Sequence, residues 1–282
     1  MLWKIESFYT GEYIMGLILV GCGKMGGAML EGWLDQGVPK DSIRIVERSG
    51  EHAQSLRDTH DISVVDSLDD IEDGFPADVI LLAVKPQMMD EAVLAAKPFA
   101  DRATFVSVAA GKTISYYQQA LGAEARIVRV MPNTPAAVRR GISVACANAK
   151  VSEPMKEHCT DLLKAIGEVA WIEDEGLMDA VTAVSGSGPA YVFYMTECLT
   201  EAGLKAGLPQ DLATQLARAT VAGAGELMRQ TGTDAGQLRT NVTSPGGTTQ
   251  AALEVLMASD GIAPIFEKSI NAAVQRSKEL AG

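Results

Sequence analysis

The residues best placed to do chemistry lie near the C-terminus, in Asn241-Val242-Thr243-Ser244-Pro245-Gly246-Gly247-Thr248-Thr249-Gln250. Pro245 and the two glycines forbid an ordinary helix before them. Ala251, Ala252, Leu253, Val255 and Leu256 then supply a helical apolar face, and Gly261 is placed to end it. A glycine-flanked helix start exposes free backbone N–H groups at the positive end of the dipole, so it binds anions such as a carboxylate. Thr248 and Thr249 add hydroxyls at the same place. A Ser-Pro-Gly-Gly stretch also serves as a plain N-cap with a tight turn. On these residues alone both readings stay open.

A second constellation opens the chain. Gly16-Leu-Ile-Leu-Val-Gly21 is a continuous apolar run, as a strand buried on both faces requires. Gly21-Cys22-Gly23-Lys24-Met25-Gly26 follows directly, then a helix with Met29, Leu30, Trp33 and Leu34 on one side and Gly37 at its end. Ile43–Val46 reads as a second strand. Gly-x-Gly-x-x-Gly therefore sits between strand and helix inside a βαβ unit, the setting of a dinucleotide site. The first glycine makes the turn, the second lets a pyrophosphate approach the backbone, and the third lets the helix pack on the strand. Glu47 stands where an acidic residue holds the ribose 2′-hydroxyl of NAD, while Arg48 and Ser49 suit the 2′-phosphate of NADP.

The elements that position these groups alternate in βα order. Strands are predicted over 62–65, 78–84, 104–109 and 127–131, a reversed strand over 142–146, and a closing strand over 169–172. Ser67 is placed to cap the helix after the third strand. Lys85-Pro86 puts a cation at the carboxyl edge of the sheet, where open α/β folds bind ligands. Ala109-Ala110-Gly111 permits close approach of a ligand, and Pro132-Asn133-Thr134-Pro135 makes a rigid turn. Beyond Glu173 no strand is predicted. Helices are expected over 177–207, broken at 185–189, then 211–230, the stretch after Gly247, and 262–280. This half is rich in Ala and Gly, which suits packing against a second copy; a self-contained bundle is the other reading.

The fold class expected is an α/β N-terminal domain over 15–172 followed by an all-α domain over 173–282. The 282 residues are 47% hydrophobic, enough for a large core. A net charge of −12 argues against nucleic acid and anionic membranes as partners. Cys22, Cys146, Cys159 and Cys198 stand apart with no paired spacing, and His52, His60 and His158 form no ligand pattern with them. Reduced thiols in a cytoplasmic protein and no metal site are expected. Residues 13–23 lie between Glu12 and Lys24 and read as a strand rather than a signal peptide. Residues 180–196 are too short and too broken by Gly186, Gly188 and Pro189 to span a membrane. Residues before Met15 read as a poorly ordered extension or an upstream start.

Taken in order, Gly21-Cys-Gly-Lys-Met-Gly26, Ala83-Val-Lys-Pro86, Ala109-Ala-Gly111, Met131-Pro-Asn-Thr-Pro135, Ser185-Gly-Ser-Gly-Pro-Ala190 and Val242-Thr-Ser-Pro-Gly-Gly-Thr-Thr249 resemble the landmarks of pyrroline-5-carboxylate reductases. The last motif is the specific one, and the match runs from about Met15 to the C-terminus. The resemblance implies a Rossmann domain and a helical dimerisation domain. It implies hydride transfer from NADPH, with NADH as the alternative, to the C5 imine carbon of 1-pyrroline-5-carboxylate, giving L-proline. It implies a homodimer through the C-terminal helices, often assembled further, with the active site between the cofactor domain of one subunit and the helical domain of its partner.

By position, the resemblance makes Thr249 the hydroxyl that touches the ring nitrogen. Ser187, Ser244, Gly246, Gly247 and Thr248 fall with it in the substrate site, Ser244 to Thr248 cradling the carboxylate. Gly21 to Gly26, Glu47, Arg48, Ser49, Ser67, Ala83, Val84, Lys85, Pro86, Ala109, Ala110 and Gly111 line the cofactor, with Asn133 at its nicotinamide end. The family often has Asn near Ser67, across an apparent insertion around 74–77. Many bacterial relatives have a neutral residue where Glu47 stands. Three rivals remain: a reductase of 3-hydroxy acids, opposed because the helix after Ser185-Gly-Ser-Gly carries no lysine until Lys205; a nucleotide-binding paralogue without turnover; and a reductase of another small imine or keto acid.

Overall fold

Successive residues of β1 (Gly16–Val20) point to opposite faces of a sheet, and both faces are covered. Leu17 and Leu19 join one core cluster, Ile18 and Val20 the other. The structure is a computed structural model that describes residues 9–10 and 13–281, with side chains from 15 to 280. The expectation for residues before Met15 falls largely outside that range; Tyr9–Thr10 pairs antiparallel with Tyr13–Ile14.

The chain divides into two compact units, one running through Gly186 and taking in the last helix from Gln275, the other spanning Ser187–Val274. The first is built on an eight-stranded sheet. After β1 come β2 (Ile43–Val46), β3 (Ser63–Val65), β4 (Ala77–Leu82), β5 (Thr104–Ser107), β6 (Arg126–Met131), β7 (Gly141–Ala147) and β8 (Gly167–Trp171). Across the sheet the order is β3-β2-β1-β4-β5-β6-β7-β8. The first six in that order run parallel, as in a doubly wound dinucleotide fold. β7 is reversed against β6, as the sequence led us to expect, and β8 lies parallel to β7 at the edge.

Five helices cover the sheet: α1 (Lys24–Asp35), α2 (Gly50–His60), α3 (Met89–Ala96), α4 (Ile114–Leu121) and α5 (Glu153–Lys164). Met29, Leu30 and Trp33 of α1 and Leu162 and Leu163 of α5 fill one core. Met89 and Val93 of α3 and Tyr117 of α4 fill the other. Trp33 is 1% exposed, and its indole N–H donates to the Leu162 carbonyl at 2.9 Å. Trp33→Phe keeps most of the packing but strands that carbonyl, at an expected cost of about 1–3 kcal/mol in a denaturant titration. Strand order reverses direction between β1 and β4, and crevices open at the carboxyl ends of strands at such a point.

After β8 the chain turns helical. α6 (Met178–Val181) runs into a π-helical turn at Thr182–Gly186, and α7 (Gly188–Lys205) follows Ser187 and carries Pro189 in its first turn. The interruption expected at 185–189 is thus a π turn followed by a fresh helix start. Then come α8 (Gln210–Thr231), α9 (Ala235–Asn241), α10 (Thr248–Leu256) and α11 (Ile262–Ala281). The fold class is therefore an α/β Rossmann-type sheet followed by an all-α region. Two details depart from the sequence reading. α9 was not anticipated; Asp234 caps it by accepting the Gln237 N–H at 3.0 Å. Gly261 does not end α10, which stops at Leu256, with Met257 as its C-cap. Among the described residues, no helix is long and apolar enough to cross a membrane.

Within Ser187–Val274 only Ala213 and Ala217 are buried among the described residues. Large apolar side chains are left open instead, including Phe193 at 62%, Tyr194 at 68% and Val255 at 72% exposure. Two alanines cannot hold α7 to α10 and the first part of α11 together in water, so apolar faces on this scale call for a second polypeptide.

Candidate active site

Gly21 closes β1 with φ +86°, a backbone conformation natural to glycine. A Cβ on Gly26 would run into the Gly21 carbonyl, which holds α1 close to the turn. A Cβ on Gly23 would meet nothing within 4 Å, so the backbone there is open to approach. Gly23 is the N-cap of α1. No side chain caps that helix, and its first turn holds no acidic residue. Its N–H groups and positive dipole end are thus left for an anion.

A cleft of about 230 Å³ lies beside this turn, at the carboxyl ends of β1, β2 and β4. It brings together Gly21, Gly23, Glu47, Arg48, Ser67, Ala83, Val84 and Lys85 from the sequence-predicted set. Met88, Glu91, Ala92 and Ala95 also line it, and none of these was anticipated. Cys22, Lys24, Met25, Gly26, Ser49, Pro86, Ala109, Ala110, Gly111 and Asn133 are not among its lining residues.

Glu47, at the end of β2, bridges two backbone segments of the cleft. One carboxylate oxygen accepts the Cys22 N–H at 3.2 Å and the other the Ser49 N–H at 3.1 Å. His52, from α2, places Nε2 2.8 Å from the Cys22 carbonyl. Cys22 thus enters the site through its backbone; burial, with the charges of Glu47 and Glu31, pushes its thiol up to about 12. Arg48 pairs with Glu91 of α3 at 2.8 Å, and its guanidinium holds that carboxyl below its ordinary range. Ser67 accepts the Asp69 N–H and donates to Asp70, a capping box that commits its hydroxyl to its own turn. Lys85 is exposed and precedes a short 3-10 turn at Pro86–Met88.

The Ala109–Gly111 loop is braced from beneath. The Ser107 hydroxyl accepts the Ala109 N–H at 3.3 Å and bonds the Tyr117 hydroxyl at 2.5 Å. Glu175 pairs with Arg129 of β6 at 2.7 Å and also accepts the Ile114 N–H at 2.9 Å, at the start of α4. Arg129 is 6% exposed, so removing its partner leaves a charge in the core. Glu175→Ala is expected to cost about 2 kcal/mol in a thermal or denaturant melt. That is less than a fully buried pair would lose, because Glu175 keeps 28% of its side chain in water. Arg129→Met/Glu175→Leu should regain most of it. Asn133 accepts the Ile142 N–H at 3.0 Å and donates to the Ser185 carbonyl at 3.2 Å, so its amide braces the turn between β6 and β7.

The other half of the candidate set lies in the helical unit. α10 opens at Gly247 with no side-chain cap, after Gly246 at φ +71°. The loop is closed by Gln250, whose Oε1 accepts the Gly246 N–H at 2.7 Å. Gln250 was not singled out as a site residue, although Gln at the third helical position is a recognised capping signal. The Thr248 and Thr249 hydroxyls have no partner among the described residues, and Thr249 is half-buried. Gly247 is the N-cap of the helix and donates to the Ser244 carbonyl at 3.0 Å in a tight turn, while the first N–H groups of the helix have no side-chain cap and point out of the first turn. Ser187 occupies the N-cap position of α7, also without a side-chain cap bond.

Comparison with known proteins sharpens this. Residues 175–280 match a family model described as pyrroline-5-carboxylate reductase dimerisation, and residues 15–111 match one described as NADP oxidoreductase coenzyme F420-dependent. The chain is 40% identical to the pyrroline-5-carboxylate reductase of Pseudomonas aeruginosa, covering 94% of this chain and 96% of that protein. A solved pyrroline-5-carboxylate reductase from Coxiella burnetii superposes with a TM-score of 0.88 at 32% identity, over 95% of this chain and 99% of that one. A Plasmodium falciparum pyrroline carboxylate reductase solved with NADP bound gives 0.78 at 29% identity, over 95% and 98%. With near-complete coverage in both directions, and with the dimerisation match falling on the helices that hold the Thr248-Thr249 loop, the chain belongs to the pyrroline-5-carboxylate reductase family.

Proposed function

We propose that this chain reduces 1-pyrroline-5-carboxylate to L-proline with a reduced nicotinamide dinucleotide. The observation that carries the reading is the start of α10: a helix N-terminus without a side-chain cap and with two threonine hydroxyls that have no partner among the described residues, in a chain whose curated relatives bear this activity in their names. When bound, the reduced nicotinamide supplies the hydride that adds to C5 of the protonated imine, and the C=N electron pair returns to nitrogen.

The chain's own residues bind and orient. The backbone from Ser244 to Thr248, with the α10 dipole, takes the substrate carboxylate. Thr249 orients the ring nitrogen or passes it a proton from water. Gly23 and the start of α1 take the pyrophosphate. Glu47, Arg48 and Ser49 meet the adenosine ribose; Lys85 and Ala109 to Gly111 lie further along the same sheet edge. No strong acid is needed, because a protonated cyclic imine already accepts hydride and needs placement above all.

In this reading residues 15–172 hold the cofactor and 173–282 form the substrate and dimerisation part. The exposed apolar faces of the helical unit support a homodimer through those helices, on which higher assembly can build. Four unpaired cysteines support a reducing compartment such as the cytoplasm. Arg48 and Ser49 support use of NADPH and Glu47 supports NADH, so both are expected to serve. Initial rates with 1-pyrroline-5-carboxylate, followed through loss of reduced-nicotinamide absorbance and by proline formed, test the reading. Dinucleotide bound but not oxidised would instead favour a non-catalytic paralogue or another small imine or keto acid as substrate.

A further inference from the structure

The ribose end of the cleft carries more negative charge than a dinucleotide fingerprint requires. Glu47, at the end of β2, already supplies the acceptor that a 2′-hydroxyl needs, and its carboxylate is fixed by the Cys22 and Ser49 N–H groups. Glu91 brings a second carboxylate from the first turn of α3 into the same cleft. It holds Arg48 at 2.8 Å. Arg48 is the guanidinium beside Glu47, where a 2′-phosphate would be received. Such a phosphate must draw Arg48 away from Glu91 and then lie beside two carboxylates. A 2′-hydroxyl faces neither cost.

We propose that Glu91 is a specificity-determining residue: by holding Arg48 and adding a negative charge to the ribose pocket, it weakens 2′-phosphorylated dinucleotides relative to NAD(H). The proposal rests on the cleft being the dinucleotide site. The fit is supported by the open backbone at Gly23, the uncapped start of α1 and the turn at Gly21. Arg48 and Glu91 keep 51% and 64% of their side chains in water, so the effect is partly screened and depends on salt.

Calorimetric titration of the whole chain with 2′,5′-ADP and with 5′-ADP separates the two groups. Glu91→Gln is expected to tighten 2′,5′-ADP about fivefold at low salt and to leave 5′-ADP within about twofold. The gain should shrink as salt is added and at least halve in the Arg48→Ala background. The ratio of kcat/KM for NADPH over NADH should rise by a similar factor. Unchanged binding of 2′,5′-ADP would overturn the proposal. So would weaker binding, which would make Glu91 the residue that presents Arg48 to the phosphate. Wild-type protein that binds neither probe would overturn the dinucleotide reading itself, and this proposal with it.

Discussion

Valine at position 249 is expected to lower kcat about a hundredfold while the dissociation constant of the oxidised dinucleotide stays within about twofold. Valine matches threonine in shape and keeps its branching, so the first turn of α10 should survive. What is lost is the hydroxyl assigned to the ring nitrogen; the Thr249 hydroxyl has no partner among the described residues that would explain its presence structurally. Thr249→Ser keeps the hydroxyl and should recover most of the turnover. Steady-state kinetics with a separate cofactor titration check this. Full turnover in Thr249→Val would remove the residue from the mechanism and leave the carboxylate cradle to do the positioning alone.

Gly23→Val is expected to raise the dissociation constant of either dinucleotide about a hundredfold with little change in melting temperature. The backbone at Gly23, φ −71° and ψ −161°, is open to any residue, and a Cβ there meets no protein atom. The fold therefore loses only the small difference between glycine and valine as an N-cap, about 1 kcal/mol. A pyrophosphate, by contrast, must come to the backbone at the place the valine would fill. Gly26→Ala makes the contrast, because its Cβ runs into the Gly21 carbonyl and damages the fold and the site together. Paired titration calorimetry and thermal melts distinguish the cases. Undiminished binding in Gly23→Val would place the pyrophosphate elsewhere.

The parts of the site that sequence reveals are those written in contiguous residues. The apolar run Gly16–Val20, the glycine turn and the amphipathic α1 are all local, so their order and their cleft could be read directly. β7 was legible as a reversed strand because no helix-length segment separates it from β6. α9 was not, because seven residues give too little periodicity, although Asp234 and Gln237 had the spacing of a cap. Gly261 misled because a glycine can lie beyond a helix end without making it; α10 closes on Met257. Contacts made through the fold were out of reach. Nothing near Arg48 in the chain announces Glu91, and nothing near Asn133 announces that its amide is spent on Ile142 and Ser185. Composition hinted at the helical face for a second copy, but only the structure counts its core at two alanines.

The central claim is that hydride reaches C5 of the pyrroline ring. Incubating the protein with 1-pyrroline-5-carboxylate and nicotinamide dinucleotide deuterated at the transferring position tests it in one step. Mass spectrometry of the product should find proline carrying one deuterium at C5. Oxidation of the dinucleotide without labelled proline, or proline with no label at C5, would contradict the account.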